Sequence, residues 1–147
     1  MSVAPLPEGD WIRGISIKQP WTAAILTGAK LVENRPRRWS WRGWVLLHAG
    51  QQIDRPALRM PLVARTIRDR ELVTGAVIGI ARITDCHQDP DGARLCSPWA
   101  HTEAWHLELA DVQELPLPVP ARGQPDPWKP TDDLVDQVLQ QLPAFRP

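Results

Sequence analysis

ISIKQPWTAAILTGAKLVENRPRRW, residues Ile15 to Trp39, is the stretch whose reading decides the fold. It opens inside Gly14 to Lys18, where apolar and polar residues alternate, the pattern of a strand with Ile15 and Ile17 on one face. Pro20 suits a first helical turn, and Trp21, Ala24 and Ile25 share a face at helical spacing. Gly28 can end that helix in the left-handed conformation, which makes Thr27 to Lys30 a turn. Leu31 to Arg35 reads as extended again, so Glu33 and Arg35, two apart, project to the same side, with Lys30 in the turn before them. The stretch surrounds a lone Glu with two Trp, two Lys and three Arg, and four of the seven cations in residues 1–48 lie between Arg35 and Arg42.

Outward from it, Pro36 to Trp41 is a basic, aromatic loop, and Arg42 to Ala49 is a strand buried along most of its length, with His48 at its end. Asp54 can cap a helix starting near Arg55, which Pro61 should break, leaving Leu62 to Arg70 as a second piece. Gly75 to Asp85 is a β-branched strand in which Gly79 signals a bulge or a close backbone approach. Residues 87–100 form a loop. Ala104 to Ala110 alternates, with Trp105, Leu107 and Leu109 inward, and LPLPVP after it reads as polyproline or an edge segment. Thr131 caps a final helix over about 131–142, whose stripe is Leu134, Val135, Val138, Leu139 and Leu142. Residues 1–13 read as a tail that Trp11 can pin, and 14–147 as one domain. The class is α+β, most economically a small closed or nearly closed β-barrel flanked by two to three short helices.

Composition narrows the function classes. The 147 residues carry 16 Pro, about twice average usage, which favours short elements. Net charge is zero, yet residues 1–48 hold seven Lys/Arg against three Asp/Glu, and residues 101–147 hold three against eight. That asymmetry fits an anion bound locally rather than a polycationic surface. No apolar run is long enough to cross a bilayer and the first residues lack a leader pattern, so a cytoplasmic protein without a membrane role is expected. Cys86 and Cys96 need not pair in a reducing compartment.

The blocks I-S-I-K-Q-P-W (Ile15 to Trp21), G-A-K-L-V-E-N-R (Gly28 to Arg35) and R-G-W-V-L-L-H-A (Arg42 to Ala49) together resemble the ASCH domain family, a branch of the PUA-like superfamily. Weaker blocks follow in the same order: Gly75 to Asp85, Ala104 to Leu109, P-V-P-A-R-G, and Pro127-Trp128. The resemblance implies a PUA-like barrel with a cleft beside the first helix that binds RNA or a modified nucleobase. One branch is similar to an amidohydrolase that removes the acetyl group of N4-acetylcytidine with a Lys and, three residues later, a Thr. Lys30 matches that Lys, but position 33 is Glu, which could serve as base on water while Lys30 or Arg35 stabilises the oxyanion. The branch also uses a further acid from later in the chain; no clear counterpart stands out, Asp85 and Glu108 being weak candidates.

The residues support a binding site on their own terms. A carboxylate accepts from an exocyclic amine while Lys and Arg donate to carbonyls or phosphate, so Lys30, Glu33 and Arg35 form a reader. Trp21, Trp39 and Trp41 offer stacking faces, Arg37, Arg38 and Arg42 a phosphate track, and Gln19 and His48 the walls. RNA or a nucleoside is the expected partner, with DNA chemically admissible; a protein partner at the Pro-rich edge is a third reading. The bland alternatives are a solvated ion cluster for the trio, core packing for Trp44 and Trp105, and a satisfied structural role for His48. Arg65, Arg68 and Arg70 read as a solvated helix face. Cys86, His87, Cys96 and His101 fit no standard zinc spacing, and neither metal nor cofactor is expected.

Overall fold

The computed structural model describes residues 6–147; the first five residues of the expected tail lie outside them. Strands β1 (Ile12–Gln19), β2 (Val32–Arg35), β3 (Gly43–Ile53), β4 (Ala76–His87) and β5 (Trp105–Pro120) are interspersed with helices α1 (Trp21–Leu26) after β1, α2 (Pro61–Thr66) after β3 and α3 (Asp132–Gln140) after β5. They form one five-stranded mixed sheet in the order β1-β3-β4-β5-β2. β1 runs parallel to β3, and every other pairing is antiparallel.

β3 is apolar from Trp44 to Leu47 because both its faces are covered there. Leu46 packs with Ile80, Trp128, Val138 and Phe145 under α3, while Val45 and Leu47 on the other face pack with Ile15, Ile17, Ile25 and Leu107 under α1. His48 lies within this strand rather than at its end, since pairing continues to Ile53. The helical piece after Asp54 is split as its proline dictates, into a 3₁₀ turn over Pro56–Arg59 and then α2, which stops at Thr66. At α3, the Thr131 hydroxyl accepts from the Leu134 amide at 3.2 Å, and Asp132 and Asp133 complement the helix N-terminus. Gly79 sits at a register shift of β4, where a Cβ would come within 2.5 Å of the Leu26 side chain and 2.7 Å of the Gln113 carbonyl.

LPLPVP is the second half of β5 rather than a separate polyproline segment. β2 covers only Trp105 to Glu108, so the later part of β5 has β4 on one side and no strand on the other, where prolines are tolerated.

The expected barrel is not closed. β1 and β2 are the two edges of the sheet and do not pair. The outer edge of β1 is already taken: Gly14 and Trp128 exchange backbone hydrogen bonds at 2.7 and 3.1 Å, and the Ser16 amide donates to Asp126 Oδ1 at 2.9 Å. Only glycine permits the approach, because a Cβ at Gly14 would lie 2.1 Å from the Trp128 ring. The sheet nonetheless curls far enough for Arg35 on β2 to donate to the Ser16 carbonyl on β1 at 2.9 Å. Side chains rather than a ladder therefore bridge the seam. No helix among the described residues is long and apolar enough to cross a membrane.

Candidate functional site

The seam between β1 and β2, roofed by α1, is a cleft of about 410 Å³. Helix termination at Gly28, φ +85°, turns the chain so that Lys30 points back beneath α1. Its side chain is 1% exposed; Nζ donates to the Val32 carbonyl at 2.6 Å and to Glu33 Oε1 at 3.0 Å, and lies 5.7 Å from the Trp21 ring centroid. The other Glu33 oxygen faces Arg35 at 3.1 Å, and Arg35 also donates to Asp126 at 2.9 Å. Two cations and two carboxylates thus alternate across the seam. Burial pushes the Glu33 carboxyl up, but the charges and hydrogen bonds of Lys30 and Arg35 outweigh it and hold Glu33 below the ordinary glutamate range.

Trp21 forms one wall, with its indole Nε1 donating to Asp54 Oδ2 at 3.1 Å and its ring edge-on to Trp99 and His101. His101 lines the cleft beside it, on a loop tied to β2 by Asn34, which donates to the Trp99 carbonyl and accepts from the His101 amide, both at 2.8 Å.

The structure gathers Trp21, Lys30, Glu33 and Arg35 at one cleft and leaves other candidates outside it. Gln19 is fully buried, accepting from the Ala23 amide at the start of α1 and donating to the Val73 carbonyl. His48 is 1% exposed: Nε2–H donates to the Ala121 carbonyl at 2.8 Å, so Nδ1 accepts from the Ser16 hydroxyl at 3.0 Å. Neither lines the cleft. Trp39 is half-buried with the Arg35 guanidinium 5.3 Å from its ring, and Trp41 donates to the Trp44 carbonyl while Arg13 covers its face. Arg42 folds back onto the carbonyls of Trp39 and Trp41, bracing the loop. Arg37 and Arg38 are exposed beside the mouth, just beyond Pro36.

Three contributors escaped the sequence reading: Asp126, Asp54 and the Asn34-anchored loop. Asp126 lies 91 residues from Arg35, and the only sequence signal was its place before the Pro127-Trp128 block. Asp85 and Glu108, by contrast, sit on β4 and β5 facing His87.

No protein-family model matches the chain, and no curated protein matches it. Solved structures do: the crystal structure of ASCH from Zymomonas mobilis aligns with a TM-score of 0.53 at 17% identity, over 88% of this chain and 94% of that one. The chain has an ASCH-like fold. Two single-substitution variants of the Zymomonas mobilis protein align as well, at 18% identity with a TM-score of 0.53 over 89% of this chain and 98% of that one, and at 19% with 0.52 over 88% and 94%. The expected ASCH-like fold is therefore present, with the sheet left open at the seam that forms the cleft.

Proposed function

We propose that the cleft binds a nucleobase carried in RNA, seated against Trp21 and read by the polar floor. The observation that carries this reading is one concavity, of a size ordinary for small-molecule sites, that joins an aromatic wall to the Lys30–Glu33–Arg35 trio. Lys30 and Arg35 keep Glu33 ionised and oriented. Its remaining lone pairs, with those of Asp54, accept from an exocyclic amine or ring N–H. Arg37 and Arg38, exposed at the mouth, hold the flanking phosphates.

Titrating the full chain with short single-stranded RNA across a range of salt tests this. Two neutralised phosphates give a slope of log K against log salt of about −1.4. Trp21→Ala should weaken binding by about 1–3 kcal/mol, the worth of one stacked base, and free nucleosides should compete. Equal affinity for single-stranded DNA would move the target to nucleic acid in general, and no saturable binding to either would end the reading.

A hydrolytic use of the same residues, removing the acyl group of N4-acetylcytidine, needs a base. Glu33 is poorly suited, since both its oxygens are engaged and its proton affinity is held low. Release of free cytidine from N4-acetylcytidine, lost in Lys30→Ala, would reverse that judgement.

A further inference from the structure

Across β2 from the seam, the end of β4, the start of β5 and the loop between them bring four side chains together. We propose that His87, Asp89, Cys96 and His106 bind one Zn²⁺ ion. Their donor atoms all lie within 4.8 Å of one another. His87 Nε2 is 3.1 Å from Asp89 Oδ1, His106 Nδ1 is 3.3 Å from Asp89 Oδ2, and Cys96 Sγ is 3.6 Å from His106 Nδ1. A tetrahedron with arms of about 2.0–2.3 Å, the lengths of zinc bonds to oxygen, nitrogen and sulfur, has edges of roughly 3.3–3.8 Å. Three of the six edges of the cluster are already near those lengths, and none exceeds 4.8 Å.

The protonation pattern agrees. His106 is 1% exposed, and its Nε2 lies 2.7 Å from the His101 carbonyl, which only accepts. Nε2 therefore carries a ring hydrogen, which leaves Nδ1, 3.3 Å from Asp89 Oδ2 and 3.6 Å from Cys96 Sγ, as the ring atom placed to coordinate an ion between them. Orienting a ligand imidazole through a backbone carbonyl is the usual support of a metal-bound histidine. His87 is built alike: its Nδ1 turns toward Glu108 at 3.6 Å and Asp85 at 3.9 Å, leaving Nε2 for the metal. Register makes the pair, since His87 and His106 are direct partners across β4 and β5. Two imidazoles, one thiolate and one carboxylate form a four-ligand set of mixed softness suited to zinc. Binding releases the Cys96 thiol proton and leaves the sulfur as thiolate on the ion.

The ion would clamp the 88–104 loop, whose His101 lines the cleft and which Asn34 ties to β2. The linear spacing concealed this, because Cys86 is buried in the core beneath α1 and His101 supplies only its backbone here.

The test uses the full chain after chelation, titrated with Co²⁺ as a spectroscopic probe and then with Zn²⁺. One equivalent of Co²⁺ should give the intense visible bands of a tetrahedral ion and a near-ultraviolet thiolate charge-transfer band, both removed by one equivalent of Zn²⁺. Cys96→Ala, at an exposed position, should lose the charge-transfer band and weaken Zn²⁺ by at least about 10-fold, with folding checked by circular dichroism; Cys86→Ala should change neither. Zn²⁺ should raise the melting temperature of the parent and not that of Cys96→Ala. No cobalt spectrum, an octahedral one, or a spectrum indifferent to Cys96→Ala overturns the proposal. None of these readouts depends on RNA binding.

Discussion

The cleft and the histidine cluster are both polar sites, yet they balance charge in opposite ways. In the cleft, Lys30, Glu33, Arg35 and Asp126 alternate in sign and neutralise one another at 2.9 to 3.1 Å. At the loop, His87, Asp89, Cys96 and His106 turn nitrogen, sulfur and carboxylate atoms toward a common centre with no Lys or Arg among them. A self-compensated floor has no net charge to offer a ligand and selects by shape and hydrogen-bond pattern. An uncompensated one selects a cation. The difference also predicts where each site's own stability comes from: the cleft should hold itself together, whereas the cluster should need its ion.

The largest effect should follow from breaking the compensated side. Lys30→Ala leaves a buried carboxylate with one cation instead of two. Removing a partner from a buried pair costs about 3–5 kcal/mol, and the retained Arg35 puts this case at the lower end of that range. Urea denaturation of the chelated protein measures it; a loss under 1 kcal/mol, the scale of exposed pairs, would show that the trio behaves as a surface cluster.

Proton uptake tests the same balance by titration. Because the folded protein holds Glu33 below the ordinary range, the unfolded chain binds more protons at mildly acid pH, and stability rises with pH there. The contribution is complete above the unfolded value and is lost as pH falls through the folded one. Glu33→Gln should flatten the acid limb of a stability–pH curve; an unchanged limb would mean that Glu33 is not held ionised by its neighbours.

These two residues were legible in the sequence, and the reason is local. Lys30, Glu33 and Arg35 lie within six residues, so a glycine-terminated helix and the two-residue period of a strand suffice to bring them together. The α+β class and the close approach at Gly79 were readable for the same reason. Barrel closure was not, because it depended on whether β2 or the distant Asp126–Trp128 segment would take the edge of β1. Gln19 and His48 show another limit: alternation places a residue on a face of β1 or β3, but not whether that face meets the cleft or the support behind it. The histidine cluster is the extreme case, since its four members span His87 to His106 and meet only through strand register and a loop that turns back.

Asp126→Asn should have a smaller effect than either change to the trio. The amide keeps an acceptor for the Ser16 amide hydrogen but loses the charge facing Arg35, which is partly exposed, so the expected cost is about 1 kcal/mol. Its consequence for function is larger than that figure implies: Arg35 loses one of the acceptors that fix it across the seam, and RNA affinity should fall with little change in fold. Equal affinity for parent and variant would place Asp126 outside the binding machinery.

The smallest effect should come from the uncompensated side, and its size depends on the ion. In chelated protein, Cys96→Ala removes an exposed thiol that touches His106 and Asp89, a change expected to stay within about 0.5 kcal/mol. With Zn²⁺ in excess, the same substitution should forfeit the stabilisation that binding confers on the parent, so the gap between the two proteins should widen as free metal rises. Parallel denaturation curves with and without Zn²⁺ measure that widening. A gap already large in chelator would mean that the cluster, like the cleft, holds itself together, and the contrast between the two sites would be gone.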